Sequence, residues 1–269
     1  MTLPIRIALL LCDTPIPAVQ STDGDYTAIF NTLLRNSLPL GSGTDYILDS
    51  YDVRNKQEYP RNVDDYQAII LTGSAASAYE NVDWINRLID YVHDIALNKP
   101  YIKLIGICFG HQIIARAMGG ECVPNGGKWE VGVTEIALTD IGKTLLGVPT
   151  LNIQQMHRDH VPAVPPSFHL LGSTPVSPNQ GMVRFASGTS VDHPMPQDVQ
   201  IFTVQGHPEF TQRISEKIVE ARERKGVMGK DIAEDARKRA EWRNDGVGVI
   251  GKVMWEIMGV GAGQAGAST

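Results

Sequence analysis

Short apolar runs alternate with amphipathic stretches from residue 5 to residue 107, and that alternation leaves few folds open. Residues 5–11 form an apolar run between Pro4 and the turn-forming residues 13–17, as expected of a buried parallel strand. Over 25–34, Tyr26, Ile29, Phe30, Leu33 and Leu34 recur at helical spacing, and Gly41-Ser42-Gly43 marks the loop that follows. The pattern then repeats: 68–71 is apolar and ends in a turn holding Gly73, 84–96 is amphipathic, and 102–107 is apolar again. Strands that alternate with helices imply an α/β fold with a mostly parallel central sheet covered on both faces.

Beyond Gly119-Gly120 the candidate strands are shorter, at 131–138, 152–156, 169–173, 182–186 and 201–204, and their Pro-, Gly- and Asn-rich turns suggest antiparallel pieces. Residues 211–243 are dense in charges and helix formers, Gly246 and Gly248 read as a break, and 249–258 reads as a last short helix. The expected organisation is an α/β domain over 1–212, a helical C-terminal extension over 213–258, and a flexible tail over 259–269 with little to bury. No internal repeat is evident.

Acidic residues outnumber basic ones, 30 to 24, for a formal charge of -6. Such a balance argues against nucleic acid or an anionic membrane as a partner and favours small-molecule chemistry. No apolar stretch reaches the roughly 18 residues of a membrane span, and the first residues lack a basic segment leading into an apolar run, which points to a cytoplasmic protein. The three cysteines, Cys12, Cys108 and Cys122, are too few and too irregularly spaced for a disulfide framework or a paired-cysteine zinc site. Each must be judged by its own surroundings.

Cys108 has the most informative ones. Gly106-Ile107-Cys108-Phe109-Gly110 lies between an apolar strand and the helical pattern 113–118, in the GxCxG form of a nucleophile elbow. Such a turn holds the nucleophile in a strained conformation, and the flanking glycines let backbone approach closely. A cysteine at a helix start also faces unpaired N–H groups and the positive end of the helix dipole, an arrangement that favours the reactive thiolate. The bland reading of a lone cysteine is a small buried hydrophobe, so a base is required.

Val204-Gln205-Gly206-His207-Pro208-Glu209 supplies one directly after an apolar strand. His207 can take the thiol proton and return it to a leaving amine, while Glu209 orients the imidazole and stabilises its charged form. A His-Pro-Glu tripeptide alone is weak evidence; paired with a GxCxG elbow at another strand end it is far more specific. His111, beside the elbow, reads as a structural hydrogen-bonding group. Cys12 and Cys122 lack a nearby base. The cluster of His157, Asp159 and His160 has no further ligand around it, so no metal is expected. The absence of GxGxxG and P-loop patterns leaves nucleotide binding unsupported. The mixed charges over 222–243 read as a solvated helix face, with a partner subunit as the other option.

The segments Gly106-Ile107-Cys108-Phe109-Gly110-His111-Gln112 and Gly206-His207-Pro208-Glu209, in this order, resemble the signature of the class I, or triad, glutamine amidotransferases. The likeness runs over roughly residues 5–210, and the chain is also similar to the amidotransferase domains of GMP synthases and to γ-glutamyl peptidases. The resemblance implies a flavodoxin-like three-layer sandwich with Cys108, His207 and Glu209 as the triad. It further implies backbone oxyanion donors at Phe109 and at Ser74 of the Thr72-Gly73-Ser74 loop, and substrate contacts from Gly73, Gln112, His157, Arg158 and Asp159. Ser74 and Arg158 stand where relatives often carry glycine. The implied partners are glutamine or another γ-glutamyl small molecule, with an acceptor substrate or a separate synthase subunit to take the ammonia; no cofactor is implied. Three functions are thus weighed: an amidotransferase that releases glutamate and ammonia from glutamine, a γ-glutamyl peptidase acting on glutathione-like compounds, and a non-catalytic binding or regulatory protein of the same fold.

Overall fold

The computed structural model describes residues 3–189 and 194–261, so His193 and residues 262–269 of the expected tail lie outside the described residues. In chain order the elements are β1 (Ile5–Leu11), α1 (Pro17–Asp23), α2 (Tyr26–Ser37), β2 (Tyr46–Asp52), β3 (Ala68–Leu71), α3 (Asp83–Asn98), β4 (Lys103–Ile107) and α4 (Phe109–Ala117). Then follow β5 (Val123–Pro124), β6 (Glu130–Leu138), α5 (Asp140–Leu146), β7 (Thr150–His157), β8 (Asp159–His160), β9 (His169–Ser173), β10 (Gly181–Phe185) and β11 (Val199–Val204). Three helices close the described chain, α6 (Gln212–Arg224), α7 (Lys230–Lys238) and α8 (Lys252–Ile257).

Nine strands form one sheet in the order β2-β1-β3-β4-β11-β10-β9-β6-β7, and β5 pairs with β8 outside it. The strands from β2 to β11 are parallel, the order of a flavodoxin-like sheet, and β10, β9, β6 and β7 extend it antiparallel. Side chains of the central strands alternate between two cores. Ile7, Leu9, Ala68, Ile70, Ile105 and Ile107 face the layer of α2, α6 and α8, whereas Ala8, Leu10, Ile69, Leu71 and Leu104 face that of α3 and α4. This two-sided burial explains why these strands read as continuous apolar runs. It makes the fold a three-layer α/β sandwich.

The strand β2 escapes the apolar-run reading because it is an edge strand, Tyr-Ile-Leu-Asp-Ser-Tyr-Asp, none of whose residues is fully buried. The helices after residue 212 share the main core. Trp255 is fully buried, donates from Nε1 to Leu34 O at 3.0 Å, and meets Tyr46 edge-on at 5.3 Å. Gly246 and Gly248, expected as a break, instead lie in a π-helix, Gly246–Gly251, that runs into α8. Its glycines serve close packing: a Cβ on Gly246 would lie 2.4 Å from Pro208 O, and one on Gly251 would lie 2.5 Å from Ser37 Cβ. The C-terminal helices therefore press on the backbone between His207 and Glu209.

Candidate active site

Parallel strands deliver their following loops to one end of the sheet, and β1, β3, β4 and β11 bring Asp13, Gly73, Cys108 and His207 to that end. The winding direction reverses between β1 and β3, where such sheets open a crevice.

Cys108 caps the start of α4 with φ +52° and ψ −103°, a left-handed backbone that a non-glycine residue adopts at a cost of about 1–3 kcal/mol. The elbow is held because Cys108 N–H donates to Val204 O at 2.9 Å and Gln112 N–H donates to Cys108 O at 3.1 Å. Its glycines have steric reasons. A Cβ on Gly110 would lie 2.5 Å from Leu71 O, and one on Gly106 would lie 2.7 Å from Gly110 O.

His207 is buried after β11, with its N–H bonded to Gln154 O at 2.8 Å. Its Nδ1 lies 2.8 Å from Glu209 Oε1, and its ring stacks on Phe210 with centroids 4.0 Å apart at 8°. Burial alone would strip the imidazole proton. Attraction to Cys108 and Glu209, with the hydrogen bond to Glu209, outweighs burial and raises the His207 pKa well above the ordinary imidazole range. With Nδ1 committed to Glu209, Nε2 is left for Cys108. Gly73 touches both members of the pair, since a Cβ there would meet His207 Cε1 at 2.8 Å and Cys108 Cβ at 3.6 Å.

The other titratable candidates fall away on electrostatic grounds. Burial pushes the Cys12 thiol up to about 12 and raises Cys122 as well, so neither forms thiolate readily. Burial, reinforced by His157, pushes His111 down to about 3; its Nδ1 lies 2.7 Å from Thr203 Oγ1, and it stays a neutral core residue.

Residues 74–77, Cys108, Gln112, Trp129, 156–159 and Arg222 line one narrow cleft. Among the described residues, the backbone N–H groups of Ser74 and Phe109 donate to no other group of the protein. Asp13 orders the Ser74 loop by accepting from Ala75 N–H at 2.7 Å and Ser74 Oγ at 3.2 Å, and it is itself paired with Arg54. Gln112 Nε2 is engaged inside the protein, donating to Asp159 O at 3.1 Å and Gln205 Oε1 at 3.0 Å. His157 is buried, with Nδ1 3.0 Å from Asp159 O and Nε2 3.2 Å from Glu130 Oε2. Despite its burial, Glu130 is held below the ordinary carboxylate range by His157, Thr174 and Ser177. Asp159 accepts from Ser77 Oγ at 2.7 Å, joining two of the segments that line the cleft. Arg158 is exposed at the rim.

Sequence reasoning missed Asp13, Trp129, Glu130 and Arg222. The position of Asp13 directly after a buried parallel strand was the available signal for it. Arg222 carried none: it lies among charges that read as a solvated face, yet it is half-buried and lines the cleft with Cys108.

A family model described as glutamine amidotransferase class-I matches residues 25–223. A glutamine amidotransferase-like protein of Schizosaccharomyces pombe is 36% identical over 246 residues, covering 88% of this chain and 92% of that protein. Gamma-glutamyl peptidase 3 of Arabidopsis thaliana is 29% identical over 244 residues, covering 88% and 89%. The crystal structure of a glutamine amidotransferase from Thermotoga maritima superposes with a TM-score of 0.68 at 17% identity, over 96% of this chain and 99% of that one, a likeness of fold.

Proposed function

The chain belongs to the class-I glutamine amidotransferase family, and from that premise we propose that it hydrolyses γ-glutamyl amides through a Cys108-His207-Glu209 triad, with glutamine as a donor. The carrying observation is the buried imidazole bonded to Glu209 at 2.8 Å and standing with Cys108 against Gly73. With the proton already on His207, the Cys108 sulfur attacks the γ-carbonyl carbon. The N–H groups of Ser74 and Phe109 receive the oxyanion, the C–N bond breaks as His207 protonates the leaving amine, and a glutamyl thioester remains. Water, giving its proton to His207, then releases glutamate and restores the starting pair of sulfur and protonated imidazole. Ammonia formed this way would pass to an acceptor substrate or a separate synthase subunit. In the site, Gly73 and the segment His157, Arg158 and Asp159 border the substrate, while Gln112 holds that segment in place.

A second reading, γ-glutamyl peptidase, uses the same thioester with a larger leaving amine. It is favoured by the match to an Arabidopsis gamma-glutamyl peptidase along most of both chains. Incubation with a glutamine-mimicking electrophile followed by intact-mass measurement is the test. We expect one adduct, abolished in Cys108→Ala, and glutamate release that disappears in the same variant. A chain that takes no adduct and releases no glutamate from any γ-glutamyl donor would instead be a non-catalytic binding protein.

A further inference from the structure

Most ionic groups around the cleft are committed to one another: Asp13 to Arg54, Glu130 to His157, and Glu209 to His207. Three lining side chains, Arg158, Arg222 and Asp159, have no ionic partner among the described residues. Both arginines lie over the ring of Trp129, with guanidinium carbons 5.7 Å (Arg158) and 5.2 Å (Arg222) from its centroid. Stacking fixes the plane of a guanidinium and leaves its edge, the N–H fork that matches a carboxylate, free to bind. Two like charges brought to one ring also repel. Burial first, and Arg158 as well, push the Arg222 pKa down, although the charge on Cys108 opposes them. A bound anion relieves that repulsion.

We propose that the Arg158–Trp129–Arg222 stack is a carboxylate clamp that makes Arg222 the determinant of the leaving amine. It selects γ-glutamyl donors whose amine half carries its own carboxylate. This rests on the γ-glutamyl hydrolase reading above. A charge count supports it. Glutamine offers one α-ammonium and one α-carboxylate, which balance Asp159 and a single guanidinium and leave the second bare. A γ-glutamyl amino acid or peptide adds the second carboxylate. Arg158 belongs to the segment placed against the glutamyl half, so Arg222, reaching in from α6, is left for the amine half.

The test compares γ-glutamylglycine with γ-glutamyl methylamide, which has a neutral leaving amine, in the unaltered protein, Arg222→Met and Arg222→Lys. Loss of a charge-assisted pair at a partly desolvated site corresponds to about 10- to 100-fold. Arg222→Met should lose that much kcat/KM on γ-glutamylglycine, mainly through KM, and at least about tenfold less on the methylamide. Arg222→Lys should recover part of the loss, since it restores the charge without the flat fork. Equal losses on both donors, or none on either, overturn the clamp. Binding is read separately by calorimetry in Cys108→Ala with and without Arg222→Met. We expect tighter binding of γ-glutamylglycine than of the methylamide, and loss of that preference with Arg222. Preferential binding without hydrolysis in the unaltered protein sinks the hydrolase reading and keeps the clamp; hydrolysis of both donors with no binding preference sinks the clamp alone.

Discussion

Gly73→Ala places one methyl group against both Cys108 and His207, the pair proposed to react. The φ of Gly73 lies outside the left-handed region, so the backbone accepts alanine and the perturbation is confined to contact. The added Cβ would stand 2.8 Å from His207 Cε1, where ordinary contact begins at 3.4 Å, so the ring must retreat by about 0.6 Å. It has little freedom to do so. Phe210 is stacked against it with centroids 4.0 Å apart, and Glu209 holds Nδ1 at 2.8 Å. Displacement therefore costs alignment with Cys108 or the bond to Glu209, and misplacement of this order typically lowers rate about 100-fold, or about 2.7 kcal/mol in the barrier. The assay is steady-state glutamate release alongside thermal melting. We expect kcat to fall by about two orders of magnitude with the melting transition retained. Activity within about threefold of the unaltered protein would show that the pair tolerates a displaced imidazole, against the reliance on near-attack geometry made here.

Three other changes probe separate parts of the structure. Glu209→Gln removes one of the attractions that raise His207, so the imidazole titration followed by NMR should move to lower pH. Because the folded pKa lies above the unfolded one, the stabilisation is complete below about 6.5 and fades as pH rises through the folded value. The stability advantage over Glu209→Gln should thus shrink toward alkaline pH, and an advantage that grows there contradicts the assignment. Asp13→Ala releases the Ser74 loop and should lower kcat about 10- to 100-fold, while iodoacetamide labelling of Cys108, which needs no oxyanion donors, is little changed; a parallel loss of labelling would place the damage at the nucleophile instead. Trp255→Ala should cost about 3–5 kcal/mol in denaturant unfolding, and a loss below about 1 kcal/mol would mean that the C-terminal helices fold apart from the sheet.

The parts legible in the sequence are those set by local chemistry. A strand buried on both faces is mostly apolar, so β1, β3, β4 and β11 announce themselves, whereas the edge strand β2, half wet, does not. The elbow is legible because Gly106 answers a steric demand arising within a few residues, against Gly110 O, and His207 and Glu209 are legible because they stand two residues apart. The rest of the site depends on contacts with no local trace. Asp13 meets Ala75 across 62 positions, Gln112 meets Gln205 across 93, and Trp129 is shared by arginines from a loop and a distant helix. A charged residue costs nothing to leave in water, so its spelling is the same whether its helix faces solvent or a cleft. For Arg222, only the tertiary placement of α6, which brings its last turn to the cleft, decides which of these it does.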